Sequence, residues 1–428
     1  MISTKFSGYL YKSDKATLRY YYFIFFIAFL TRLFCANFSG VENFSGSDWS
    51  RYDQFSDNII NGNFNLDTGL FITAPLYSYI VALFKVFLGS NFSFGLEIFQ
   101  IILSSISVIF LSLTANLIFK NNLIAKLTAI LFCFYPMTLY VVHLFSQESI
   151  FQSLLVISLY FGVRYQKKQY KRDLILFSLL ISLTALTKSH ILLAFPFILV
   201  LLMLNKKSLI EGFKDCIYFL FIFGILTLPN GLYNYKVNNI YTFSSSGAGA
   251  HFFVGHNDDV YKFIVDPPPY GSKEHTKLKS MDFEYAKKIK HLDGFSPGDR
   301  DQEFFRLGIN WIYSNTEKNT ELFFTNLKNF ITPGVNKHHY PYIKWLLSFV
   351  ICAPIFLLAY TEIMRLSIRS FSEHSFVIIL FISMLIFSVL FYSQNRFRVI
   401  TIEPWYLMYA SSALINLLRS FFYIGEKN

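Results

Sequence analysis

Ten apolar runs decide what this chain can fold into. They lie near residues 19–36, 94–118, 124–142, 149–163, 174–188, 191–204, 216–229, 345–360, 375–391 and 403–418, and the stretch 174–204 has a second reading. A bilayer core takes about 20 mostly apolar residues per helix. Lipid offers no partner for a free backbone N–H or C=O, so such runs cross only as helices. Composition agrees: 54% of the residues are hydrophobic, 19% aromatic and 15% charged, where a soluble domain carries about 25% charged residues. The expected fold is an all-α polytopic membrane protein of about ten transmembrane helices.

The cations orient the runs. With Lys5, Lys12, Lys15 and Arg19 placed inside, the inner loops carry Lys120 and Lys126, RYQKKQYKR (164–172), Lys206, Lys207, Lys214, Arg365, Arg369, Arg419 and Lys427. The short outer loops hold few cations beyond Lys188, Arg396 and Arg398. This asymmetry follows the positive-inside rule and accounts for most of the net charge of +11. No long basic, aromatic-interleaved soluble face is present, so the charge does not indicate nucleic acid. The first run is read as an uncleaved anchor.

Two large segments then fall outside. One is the first loop, 37–93, within an N-terminal transmembrane module, 1–229. The other is a loop domain, 230–343, expected to mix secondary structures, and 344–428 holds the last transmembrane helices. Four cysteines (Cys35, Cys133, Cys216, Cys352) lie in or beside the runs with no CxxC spacing, so no disulfide framework follows. Asn37, Asn43 and Asn91 open external Asn-Phe-Ser triplets, which carry meaning only in a eukaryote.

Ionisable groups at membrane depth or at its edge are expensive and are functional candidates by default. Here they gather on one face: Asp48 after the first run, Glu148 in HLFSQESIF, Lys188 and His190 in LTALTKSHILLAFP, and Arg396, Arg398 and Glu403 in YSQNRFRVITIEPW. Such a face suits an anionic, membrane-bound substrate. Each residue also has a plainer reading. Asp48 caps the helix that follows, and Glu148 is a favourable charge at a helix N-terminus. Lys188 and His190 snorkel to the interface. Asp53 and Asp57, four apart, are solvated, and Trp49 and Tyr52 belong to an aromatic belt or stack on a sugar ring. Arg396 and Arg398 break the charge rule that the other cations obey. His338-His339, beside Tyr340, is a weak metal pair without a carboxylate at ligand spacing.

The order of the pieces adds a resemblance. Asp48 before Tyr52-Asp53, then APLYSYIVALFKVFLG (74–89), FYPMTLYVVHLFSQESIF (134–151), LTALTKSHILLAFP (183–196), LPNGLYNYKVNNIYTFSSSGAGAHFFVGHND (228–258) and RFRVITIEPWYLMYAS (396–411) occur in sequence. Together they resemble GT-C polytopic glycosyltransferases, in the bacterial branch related to protein O-mannosyltransferases and lipid A aminoarabinose transferases. The resemblance implies transfer of one sugar from a polyprenyl-phosphate carrier, usually with inversion, on the non-cytoplasmic face of a bacterial cytoplasmic membrane. It implies Asp48 as general base toward the acceptor and Glu148 as the second acidic residue, orienting hydroxyls. Arg396 and Arg398 would stabilise the leaving phosphate, Lys188 would help, and Tyr52, Asp53 and His190 would line the substrate site. The acceptor is a glycan, a lipid or a protein, no cofactor is called for, and a divalent metal stays open.

Two positions depart from the pattern. Ile72-Thr73-Ala74 stand where many relatives carry a cation, and Asn230, Gly231, Leu232 and Tyr233 stand where many carry Trp and Arg. Both shift weight onto Arg396 and Arg398. Two other enzymes or carriers compete. An O-antigen ligase or polymerase would rely on Arg and His rather than on an Asp directly after the first helix. A lipid-linked-sugar flippase or transporter predicts ionisable groups at the midplane and two related halves.

Overall fold

The computed structural model describes residues 15–39, 47–63, 74–206, 208–238, 240–245, 247–279, 292, 294–369, 371–391 and 394–425. Its helices are α1 (Lys15–Ser39), α2 (Ser47–Ile60), α3 (Leu76–Leu88), α4 (Phe92–Phe119), α5 (Asn122–Phe134), α6 (Pro136–Val142), α7 (Gln147–Lys168), α8 (Lys171–Thr187), α9 (Phe195–Leu204) and α10 (Leu209–Asn238). Then follow α11 (Ala248–Gly255), α12 (Asp258–Ile264), α13 (Lys273–Lys279), α14 (Pro297–Ser314), α15 (Thr316–Ile331), α16 (Tyr342–Arg369), α17 (Phe371–Leu390), α18 (Asn395–Thr401) and α19 (Glu403–Gly425). No strand occurs among the described residues, so the described part of the 230–343 domain is helical rather than mixed.

The ten apolar runs fall on helices to within a residue or two at their ends, save that 191–204 begins as the 3-10 helix Ser189–Ala194. Among the described residues five helical segments are long and apolar enough to cross a bilayer, and a sixth is the pair α5 and α6, bent by 56°. The bend divides the run 124–142 at Tyr135, because the following Pro136 has no N–H to continue the ladder and pre-sets the first turn of a new helix. The helix α7 falls outside that set for a different reason. Its residues from Gln147 to Tyr165 are nearly all buried, with α4 and α8 as its main neighbours. A helix enclosed by protein keeps polar residues that a lipid-facing helix cannot. Ser153 and Ser158 bond to backbone carbonyls of their own helix, and Gln152 Nε2 donates to Val399 O at 2.9 Å.

The first loop is more structured than an open connection. It contains α2 and α3, and α3 folds back on α4 at Gly89, whose φ of 54° suits a residue without a Cβ. The Tyr77 hydroxyl donates to Gln100 Oε1 at 3.0 Å and Phe84 meets Phe99 at 5.6 Å, contacts that a straight helix through 76–119 would forbid. In turn α2 packs on α3 through Tyr52, which is buried edge-on against Tyr77. A further close approach joins α11 to the bundle. A Cβ on Gly255 would lie 1.6 Å from Phe391 O, so only glycine lets α11 rest on the end of α17.

Candidate active site

The site is built where α7 begins. Ser146 is extended, and the helix that follows carries Glu148 in its first turn, 2% exposed. Leu-Thr-Ala-Leu-Thr ends α8, and the extended Lys188 turns its side chain back toward that turn. Lys188 Nζ donates to Glu148 Oε1 at 2.6 Å. The same ammonium lies 4.7 Å from the Phe397 ring centroid, a cation–π contact that lowers the cost of burying it. From α18, Arg396 brings a guanidinium nitrogen to 3.5 Å from Glu148 Oε1 while 42% of its side chain stays exposed. Oε2 of Glu148 is buried and has no partner among the described residues.

His190 completes the group. It is stacked on Phe151 at 4.7 Å, with Phe387 and Phe397 at 5.3 and 5.5 Å. Both ring nitrogens are buried without a partner among the described residues. Glu148, Lys188, His190 and Arg396, from three separate stretches of chain, therefore meet at one end of the bundle. One carboxylate faces two permanent cations, so the local field favours an anion, and Arg396 is its exposed edge.

Arg398 is placed apart from Arg396. It is 1% exposed, and its donors are taken up by the protein. Nε donates to Glu403 Oε1 at 2.8 Å, the terminal nitrogens donate to the carbonyls of Phe330, Thr332 and Gly334 at 2.9, 2.6 and 2.7 Å, and Tyr135 donates to Glu403 Oε2 at 2.6 Å. This residue bolts the turn between α15 and α16 to α18 and α19. Alternation of side chains explains the split between Arg396 and Arg398: two residues apart on a helix point some 200° away from each other.

Asp48 lies in the first turn of α2, one turn before Tyr52, and its side chain is outside the described residues. Asp53 and Asp57 are not simply solvated. Lys85 Nζ reaches both, at 2.8 and 2.6 Å. Tyr52 is buried in a cluster with Tyr77 and Phe145, three residues before Glu148.

One pair went unremarked in the sequence. His143 Nδ1 lies 2.9 Å from Glu97 Oε1, the imidazole is fully buried, and Gln100 clamps the same turn by donating to Val142 O at 2.8 Å and Leu144 O at 3.2 Å. The signal was present, since each residue is ionisable within an apolar run; their pairing is a matter of fold. His339 stacks on Phe263 at 4.1 Å, and no group of three or more His, Cys, Asp or Glu able to hold a metal occurs among the described residues.

Residues 73–233, from the start of the α3 segment through most of α10, match the family model described as dolichyl-phosphate-mannose-protein mannosyltransferase. The oligosaccharyltransferase of Archaeoglobus fulgidus, solved with Zn and sulfate, superposes with a TM-score of 0.55 at 12% identity, over 94% of this chain and 50% of that one. ArnT of Cupriavidus metallidurans matches with a TM-score of 0.38 in the apo state, at 13% identity over 92% of this chain and 77% of that one. Bound to undecaprenyl phosphate it matches with a TM-score of 0.37, at 12% identity over 95% and 78%. No curated protein matches the chain. The chain spans half the length of the archaeal enzyme.

The fold defines the class: an all-helical integral membrane protein whose fold is similar to that of the archaeal oligosaccharyltransferase. Within that class, residues 73–233 are similar to the dolichyl-phosphate-mannose-protein mannosyltransferase family.

Proposed function

We propose that the protein transfers a single sugar from a polyprenyl-phosphate donor to an acceptor on the non-cytoplasmic face of a bacterial cytoplasmic membrane. The observation that carries this reading is the buried Glu148 held between Lys188 and Arg396, with one carboxylate oxygen unpartnered at the mouth of α7. Arg396 meets the leaving phosphate, to which a guanidinium fork is well matched. As the bond from sugar to phosphate breaks, negative charge grows on the phosphate oxygen, and a cation already in place stabilises it without reorganisation. Glu148, fixed by Lys188, presents Oε2 to a hydroxyl of the sugar or acceptor, and His190 lines the same subsite. Asp48 takes the proton of the acceptor hydroxyl as it attacks from the opposite face of the sugar, which gives inversion. Arg398, Asp53 and Tyr52 act one layer back, holding α18 and α2. The family description, a dolichyl-phosphate-mannose enzyme, supports a polyprenyl-phosphate donor.

The test uses purified protein in detergent, where no two compartments exist and transport cannot register. It is incubated with a panel of polyprenyl-phosphate sugars and a membrane lipid extract, and release of free polyprenyl phosphate is followed. Release that disappears in folded Asp48→Asn supports the transferase and its base. Release that survives the substitution removes Asp48 from that role, and no release from any donor overturns the reading.

A further inference from the structure

Among the described residues three arginines are buried: Arg32, Arg164 and Arg398, at 0, 8 and 1% exposure. Two of them face carboxylates. Arg164 Nε lies 2.9 Å from Asp173, and Arg398 Nε lies 2.8 Å from Glu403. Arg32 faces none. It projects from α1 between α4 and α5, where Nε donates to Ser104 Oγ at 2.8 Å and one terminal nitrogen donates to Ala28 O at 3.1 Å. The Phe132 ring lies 5.9 Å from the guanidinium carbon, and the second terminal nitrogen, also buried, has no partner among the described residues.

A guanidinium does not shed its proton to escape this position. A buried cation without a counter-charge is costly, and in a membrane segment such a group marks a ligand or ion path unless it is paired. The chemistry of the surroundings narrows the ligand. The unpartnered terminal nitrogen can only donate. Beside it, the Ser104 hydroxyl accepts from Arg32, and its own proton goes to no acceptor among the described residues. Two donors and a full positive charge call for an acceptor-only anion, not for a sugar hydroxyl, which would also need acceptors. The depth narrows it further. Arg32 stands seven residues before Ser39, the end of α1, which is about 10 Å along the helix axis. Thr31, its neighbour, donates to Cys133 O next to the α5–α6 bend, and α6 packs against α1 on the way to Glu148. An anion held between α1 and α4, both long and apolar enough to cross the bilayer, is one that arrives on a lipid.

We propose that Arg32 is the counter-cation for a phosphate group carried by a membrane ligand, with Ser104 as the second donor. The proposal rests on the transferase reading only in naming a polyprenyl phosphate as the bearer; an ordinary phospholipid offers the same chemistry.

Unfolding temperature in detergent tests it, measured for wild type, Arg32→Met and Arg32→Lys, each with and without polyprenyl phosphate, phosphatidylglycerol or inorganic phosphate. We expect polyprenyl phosphate to raise the wild-type unfolding temperature. We expect Arg32→Met without ligand to be at least as stable as wild type, because an uncompensated charge is gone, and to show a reduced response to polyprenyl phosphate, whose phosphate also meets Arg396, and none to phosphatidylglycerol. Should Arg32→Met not fold, Arg32→Lys decides: a reduced shift supports the proposal and an unchanged one overturns it. A full shift in Arg32→Met, or no response of wild type to any probe, also overturns it. A wild-type response to phosphatidylglycerol equal to that for polyprenyl phosphate, lost in Arg32→Met, supports the phosphate site while counting against the donor assignment. Response to inorganic phosphate alone places a free anion at Arg32 and overturns the lipid-borne form.

Discussion

Lys188, at the end of α8, donates to Glu148, at the start of α7, over 2.6 Å, with both side chains almost wholly buried. Helices that run in opposite directions thus present their opposite ends to each other, and the two charges neutralise where the bundle meets its edge. Removing Lys188 leaves the buried Glu148 with only the half-exposed Arg396, at 3.5 Å. Glu148→Gln should lower donor turnover on the order of a hundredfold. A double-mutant cycle with Lys188→Met should show a coupling of roughly 0.5–3 kcal/mol in unfolding free energy. Additive losses would mean that the pair does not act as a unit.

Arg398 and Glu403 call for the opposite experiment, on stability rather than turnover. The guanidinium is enclosed by Glu403 and the 330–334 carbonyls. Arg398→Met leaves the buried Glu403 carboxylate without its counter-cation, held only by the Tyr135 hydroxyl, and strips those carbonyls of their donor, so a loss of about 3–5 kcal/mol is expected. Denaturant titration in mixed micelles checks it. A loss below about 1 kcal/mol would show that the turn between α15 and α16 does not depend on this bolt.

Lys85 predicts a subtler effect. Asp53 and Asp57 are like charges one turn apart on α2, which destabilise a helix, and the Lys85 ammonium lies between them and 5.3 Å from the Phe92 ring centroid. The aspartates are 40 and 55% exposed, so Lys85→Met should change global stability by less than about 1 kcal/mol. It should instead speed hydrogen exchange of the 47–60 amides and lower turnover through the helix that bears Asp48. Asp53→Asn with Asp57→Asn in the same chain should restore much of the loss, since the repulsion is then gone. Unchanged exchange would show that α2 is held by its apolar face alone.

His339 gives a pH dependence outside the membrane. Burial against Phe263 pushes its imidazole down to about 4, against about 6.5 in an unfolded chain. Between those values the unfolded state binds the extra proton, so its contribution to stability is complete above about pH 6.5 and is lost as the pH falls toward about 4. His339→Phe keeps the stack and removes the titration. The difference in unfolding temperature between variant and wild type should therefore widen as the pH falls from 6.5 to 4. A difference that stays constant would sink this account.

Much of the fold was legible because the bilayer leaves a chain few choices. An apolar run of sufficient length must be helical, and every run named from the sequence is helical to within a residue or two, although 124–142 and 191–204 each fall into two pieces. The errors fell where protein, not lipid, surrounds the chain. The Tyr135-Pro136 break and the fold-back of α3 at Gly89 carried local signals, a proline and a glycine, that a count of apolar residues passes over. The site was half legible. Ionisable groups stand out against apolar runs, so Glu148, Lys188, His190 and Arg396 could be named.

What residue patterns alone could not decide was which charge meets which. Arg396 and Arg398 look equivalent in RFR, yet one is an exposed edge of the Glu148 group and the other is sealed against Glu403 and four carbonyls. Asp53 and Asp57 look solvated until Lys85, from α3, arrives between them. Arg32 looks like any cation in a first helix until its surroundings prove to hold no acid among the described residues. By itself the sequence determined the membrane class, the helices and the set of polar residues that needed explaining, because the cost of polarity in lipid acts residue by residue. Only the tertiary structure decided the pairing, because a charge in a low-dielectric interior takes its meaning from the group a few ångströms away, and those groups come from distant parts of the chain.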